Sequence, residues 1–135
     1  MKCLVIEDDD DLGELWLAHL EVCGIRADVA RNLHEASSKI LTQDYDVVIS
    51  DIDLPDGNGM ELTHLLAFRQ PDTPVVVVTG RSDFENGELF TLYHNIAAVF
   101  RKTENFEDIC AYIEHRYARR DRRPSAAPET RSAAG

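Results

Sequence analysis

No stretch of this 135-residue chain is apolar for the length of a membrane span. The amino terminus carries no signal-peptide pattern and passes directly into an apolar run at Cys3, so a soluble, cytoplasmic protein without a signal peptide is expected. Cysteine is scarce. Cys3, Cys23 and Cys110 are odd in number, lack metal-ligand spacing and lie inside apolar patterns, which excludes a disulfide framework and predicts reduced core thiols. Basic charge is also in short supply, with 14 Lys and Arg against 25 Asp and Glu and a net charge of −11. Six Arg fall within residues 116–135 beside only Asp121 and Glu129, so residues 1–115 carry −15. Nucleic-acid backbones are held by Lys and Arg that neutralise phosphates, so direct nucleic-acid binding is not expected. The five His are scattered without ligand spacing and are expected on helix surfaces or edges.

What is present is alternation. Short β-branched or apolar runs at 3–6, 27–30, 47–50, 75–78 and 97–100 read as buried strands, and helical patterns fill the gaps. Leu12, Leu15, Trp16, His19, Leu20 and Cys23 mark one face of a first helix that Gly24 can close in a left-handed cap. Asn32 and Glu35 form a capping-box-like start for a second helix with Leu33, Ala36, Ile40 and Leu41 inward. Leu62, Leu65 and Leu66 face inward from a third that stops before Pro71; a weaker fourth spans 82–95, and Phe106, Ile109, Cys110, Ile113 and Tyr117 define a fifth. Residues 119–135 lack apolar periodicity and read as a disordered tail or linker stub after a domain of residues 1–118. Right-handed crossovers with helices on both faces predict an α/β fold, a five-stranded parallel sheet of order 2-1-3-4-5, flavodoxin-like (βα)5.

Five polar residues stand where the runs end: Glu7 and Asp8, Asp51, Thr79 and Lys102. In a parallel sheet all would meet at the carboxyl edge, where open α/β sheets bind ligands. Crowded carboxylates repel one another unless a cation neutralises them, and Mg²⁺ takes one or two carboxylates while accepting phosphate oxygens. An Asp carboxylate can act as a nucleophile and form an aspartyl phosphate, with a hydroxyl and an ammonium to hold the phosphoryl oxygens. The neighbouring Asp9, Asp10 and Asp11 read as dipole partners of the first helix, and Asp56 and Asn58 as turn residues.

The segments LVIEDDDDL, DVVISDIDLPDGNGMEL, PVVVVTGRS and AVFRKTENF, in this order, resemble the receiver domains of bacterial two-component response regulators over roughly the first 118 residues. The resemblance implies that Asp51 accepts a phosphoryl group from a phosphohistidine, borne by a histidine kinase or a histidine phosphotransfer protein. It implies Mg²⁺ held by Asp8 directly, Glu7 through water, Asp51 and the backbone carbonyl of Asp53. Thr79 would bond a phosphoryl oxygen and Lys102 would bridge the phosphoryl group and the carboxylates. Such a protein is a signalling phospho-acceptor rather than a turnover enzyme. Its output passes to a protein target or to an effector domain, and the face of the fourth helix, fifth strand and fifth helix is the expected output and homodimer surface. Two positions depart from the pattern: Val99 stands where receivers carry Tyr or Phe, and Thr103 replaces a cis-proline.

The alternatives are a metal-dependent phosphoryl transferase or hydrolase, of the Toprim type on Glu7, Asp51 and Asp53 or the haloacid dehalogenase type on Asp51-Ile52-Asp53, and a receiver-like docking module that is never phosphorylated. The −15 body and the otherwise idle Thr79 and Lys102 weigh against the Toprim alternative. The acidic pair's place one strand earlier weighs against the dehalogenase alternative, and the presence of acceptor, acids and lysine weighs against the docking module.

Overall fold

A computed structural model of the chain describes residues 1–51, 53–58, 60–79, 95–101 and 106–118. Its sheet has five parallel strands: β1 (Lys2–Ile6), β2 (Arg26–Ala30), β3 (Val47–Ser50), β4 (Val75–Thr79) and β5 (Ile96–Arg101). Their order across the sheet is 2-1-3-4-5, as the alternation of runs predicts. β1, β3 and β4 are buried almost throughout, because helices cover both faces and leave no solvent side for polar alternation.

The pleat sorts the strand residues into two cores. Leu4, Ile6, Val48, Val75 and Val77 pack against α2 (Leu33–Thr42) and α3 (Met60–Arg69), through Ala36, Ile40, Leu62 and Leu66. Cys3, Val5, Val47, Ile49, Val76 and Val78 pack on the opposite face against α1 (Asp10–Val22) and the C-terminal helix α4 (Phe106–Ile113), through Trp16, Leu20, Ile109 and Ile113. A fully buried aliphatic side chain contributes about 1.5–3 kcal/mol, so each layer is held chiefly by apolar burial. α4 runs on into a π-helical turn, Glu114–Ala118, that carries buried Tyr117. Among the described residues no helix is long and apolar enough to cross a membrane.

The helix ends follow their residue chemistry. Asp9 caps α1 by accepting from the N–H of Leu12 at 3.1 Å, and Asp10 and Asp11 occupy the first turn. Gly24 has φ of 78°, the left-handed conformation expected of it at the end of α1. Asn32 caps α2 by accepting from the N–H of Glu35 at 2.8 Å, while Glu35 reaches back one residue further than a capping box requires and accepts from the N–H of Arg31 at 3.0 Å.

Two inward assignments are corrected. Leu15 is 45% exposed and Leu41 is 48% exposed. α1 turns Gly13, Trp16 and Leu20 to the sheet, and a Cβ at residue 13 would meet Val29 Cγ1 at 3.4 Å, so the helix lies close over its glycine and Leu15 is carried outward. Leu41 stands about 100° round the helix from Ile40, beyond the stripe that the sheet covers. The predicted helix over 82–95 and the tail 119–135 lie outside the described residues, apart from Asn95, whose carbonyl accepts from the N–H of Val75 at 2.8 Å.

β5 carries an irregularity that no residue pattern announced. Val75 pairs with Ile96 but Val76 pairs with Ala98, leaving Ala97 as an inserted residue. Ala97 and Ala98 therefore both face the α1–α4 side, Val99 turns to the α2–α3 side, and Phe100 returns to pack edge-on against Tyr112 with ring centroids 5.4 Å apart. Val99 and Phe100 thus face opposite sides of the strand.

Candidate metal and phosphoryl site

The carboxyl edge of the sheet is assembled by two backbone hydrogen bonds past the ends of its strands. Glu7 N donates to Ala30 O at 2.9 Å, and Asp51 N donates to Ile6 O at 3.3 Å. β1 and β3 thereby deliver Glu7 and Asp51 side by side. Both are nearly enclosed, at 4% and 5% exposure. Asp8 follows Glu7 into the turn before α1 and is exposed. The N–H of Asp9 donates to Glu7 Oε2 at 3.3 Å and Ser50 Oγ donates to Asp51 O at 2.9 Å, fixing the backbone on either side of the pair.

Carboxylate oxygens of Glu7, Asp8 and Asp51 all lie within 4.8 Å of one another. At that separation two unit charges repel by about 3 kcal/mol at an effective dielectric near 20, so the trio calls for positive charge in its midst. The donors are hard oxygens. Two are buried and one opens to solvent, which suits a small divalent ion that keeps part of its water shell. The residues present thus fit a hard divalent cation.

Thr79 ends β4, next to β3 on the same edge, and is 2% exposed. It pairs in register with Arg101, the residue before Lys102; Lys102 and Thr103 lie outside the described residues. The backbone of Asp53 pairs with that of Asn58 in a short antiparallel ladder, Asp53–Leu54 against Gly57–Asn58, two residues past Asp51. Four of the six expected site residues, Glu7, Asp8, Asp51 and Thr79, thus stand at one edge of the sheet, the first three within reach of a single ion.

One further residue carries only turn chemistry in its sequence pattern. Asp56 accepts from the N–H of Leu33 at 2.8 Å through Oδ1 and from the N–H of His34 at 3.1 Å through Oδ2, so it caps α2 from more than twenty residues away. These hydrogen bonds hold its carboxyl below the usual range. Sequence spacing carries no signal for a cap supplied by a different loop.

The sequence profile described as "Response regulator receiver domain" matches residues 3–114. The regulatory protein VanRB of Enterococcus faecalis strain ATCC 700802 / V583 is 39% identical over 87 residues, covering 64% of this chain and 39% of that protein. The chain thus spans about two fifths of the length of this curated relative. Among solved structures, the response regulator TrrA from Thermotoga maritima in complex with Mg²⁺-BeF superposes with a TM-score of 0.74 at 25% identity, covering 84% of this chain and 96% of that one. The beryllofluoride-activated NtrC4 receiver domain dimer superposes with a TM-score of 0.77 at 26% identity, covering 87% and 97%. The chain belongs to the response regulator receiver domain family of two-component signalling. That membership sets aside the topoisomerase-primase and dehalogenase alternatives.

Proposed function

We propose that residues 1–118 form a receiver that takes a phosphoryl group from the phosphohistidine of a histidine kinase or phosphotransfer protein onto Asp51. The observation that carries this reading is the convergence of Glu7, Asp8 and Asp51 within 4.8 Å at the carboxyl edge. Mg²⁺ is the ion of choice, held by Asp8, Asp51 and the backbone carbonyl of Asp53, with Glu7 acting through water. When bound, it neutralises the carboxylates and the charge of the incoming phosphoryl oxygens.

The chain's own residues do the rest. A carboxylate oxygen of Asp51 forms a bond to phosphorus as the phosphorus–nitrogen bond of the donor breaks, and the electron pair leaves with the imidazole. The near-complete burial of Asp51 keeps bulk water from competing for the phosphorus. Thr79, buried at the end of the adjacent strand, donates its hydroxyl to a phosphoryl oxygen, and Lys102 supplies an ammonium between that group and the carboxylates.

The outcome is a signal and not turnover of a substrate. Output runs through protein contact or through an effector domain attached by residues 119–135, in the cytoplasm and without direct nucleic-acid binding by this domain. The face of β5 and α4 serves for homodimer formation, a reading supported by the dimeric state of the NtrC4 receiver. Intact-mass measurement after incubation with acetyl phosphate and Mg²⁺ tests the assignment. A gain of about 80 Da is expected, lost in Asp51→Asn and in excess chelator. No gain in the wild type would leave only a docking role.

A further inference from the structure

The loop that follows Asp51 is fastened to a helix that contributes no residue to the acidic trio. Asp56 grips the first two N–H groups of α2 with both carboxylate oxygens. Asn32 already satisfies the N–H of Glu35 in the same helix, so the start of α2 is shared between a local cap and a distant one. Gly57 makes the approach possible: its φ is 151°, and a Cβ there would lie 2.4 Å from Leu33 Cδ1. Leu54, only 9% exposed, enters the same core against which Leu33 packs. The loop is therefore pinned by one apolar contact and two charge-assisted hydrogen bonds, and between Asp51 and those pins lies Asp53.

Resting on the phospho-acceptor reading above, we infer that Asp56 is a positioning residue for the cation site, holding the backbone of Asp53 and the exit from Asp51 in register by anchoring the loop on the start of α2. Without the anchor, the ties that remain to the turn among the described residues are the two-residue ladder and Leu54. A carbonyl ligand on such a turn sits in several positions, and metal affinity falls. Outer partners that orient ligands typically alter affinity by about 10–100-fold, and a backbone anchor one step further out should give about threefold or more.

A loss of α2 stability alone must be told apart from a loss of loop position. Asn32→Ala removes the local cap of the same helix without touching the loop, so it supplies the comparison. Mg²⁺ affinity is measured by titration calorimetry on the full chain for wild type, Asp56→Ala, Asp56→Asn, Gly57→Ala and Asn32→Ala, alongside mass gain with acetyl phosphate. Asp56→Ala and Gly57→Ala should each weaken Mg²⁺ by about threefold or more, with Asp56→Asn intermediate because its amide keeps one acceptor oxygen. Asn32→Ala should stay close to wild type in affinity while losing thermal stability. Equal weakening in Asn32→Ala and Asp56→Ala, or none in Asp56→Ala, overturns the inference while leaving Asp51 as acceptor. A wild type that neither binds Mg²⁺ nor gains mass overturns both.

Discussion

The two ends of the sheet treat polar groups in opposite ways. Near the amino end, several charges and amides meet partners of complementary kind within the chain. Lys2 Nζ lies 3.6 Å from Asp28 and also donates to Gln43 Oε1, Tyr45 donates its hydroxyl to Asp28 at 2.8 Å, and Lys2 N donates to Asp46 at 2.7 Å. Gln70 ties three segments together, donating to Ile40 O at 2.9 Å and Gln43 O at 2.7 Å and accepting from Tyr45 N at 3.0 Å. At the carboxyl end, three carboxylates share one small volume. Buried polar groups are costly unless matched, so the amino end reads as architecture, whereas carboxylates gathered at the carboxyl end read as a candidate cation site.

The sharpest way to break this contrast is to damage the architectural end. Gln70→Ala strands two carbonyls and one N–H, and removing one partner from such groups costs more than the bond itself contributes. Urea unfolding should show a loss of about 2–3 kcal/mol. The labelling rate with acetyl phosphate should stay within about twofold, because distant sites act independently. A large fall in labelling of the folded variant would mean that the two ends are coupled and the contrast is false.

Damage at the other end should have the opposite sign. Asp51→Asn removes one charge from the trio while keeping the shape of the side chain, so without metal the variant should gain about 1 kcal/mol in urea unfolding. The wild type should in turn be stabilised by Mg²⁺ and the variant much less, since an ion that binds only the folded state raises its stability by mass action. A variant less stable than wild type in chelator would show that Asp51 is an architectural group like those at the amino end.

How much of this was legible in the sequence depends on how far each interaction reaches. β1, β3 and β4 announce themselves because Leu4–Ile6, Val47–Ile49 and Val75–Val78 are compact buried runs, and the parallel order follows once the helices between them are recognised. Glu7, Asp8, Asp51 and Thr79 are legible for the same reason, since each sits where such a run stops. Leu15 and Leu41 look inward because hydrophobicity alone sets a stripe too wide, whereas α1 approaches the sheet over Gly13 and α2 over Ala36 and Ile40. The insertion at Ala97 left no trace, as two alanines fit either side of a sheet. Asp56 and Gln70 act across more than twenty residues, and neither has a local pattern that distinguishes it from a turn acid or a surface amide.

The smallest test concerns Tyr45, whose ring is buried and whose hydroxyl donates to Asp28. Burial, then the bond to that carboxylate, raises the phenol above its ordinary value. A group whose folded pKa is raised contributes stability that is full below its unfolded value, near 10 for Tyr, and lost as pH climbs above it. Tyr45→Phe should therefore cost about 1 kcal/mol at neutral pH, the worth of one hydrogen bond. Above about pH 10 the wild type should lose stability more steeply than the variant, because its unfolded chain releases a proton that the folded chain holds. Burial also lifts the Cys110 thiol, up to about 12, so both proteins share an alkaline decline, and only the difference between them reports on Tyr45. Parallel urea curves at neutral and alkaline pH check this. A gap between the two proteins that widens with pH would mean that the phenol ionises more readily in the folded chain than in the unfolded one, and that Tyr45 is not held as an architectural group.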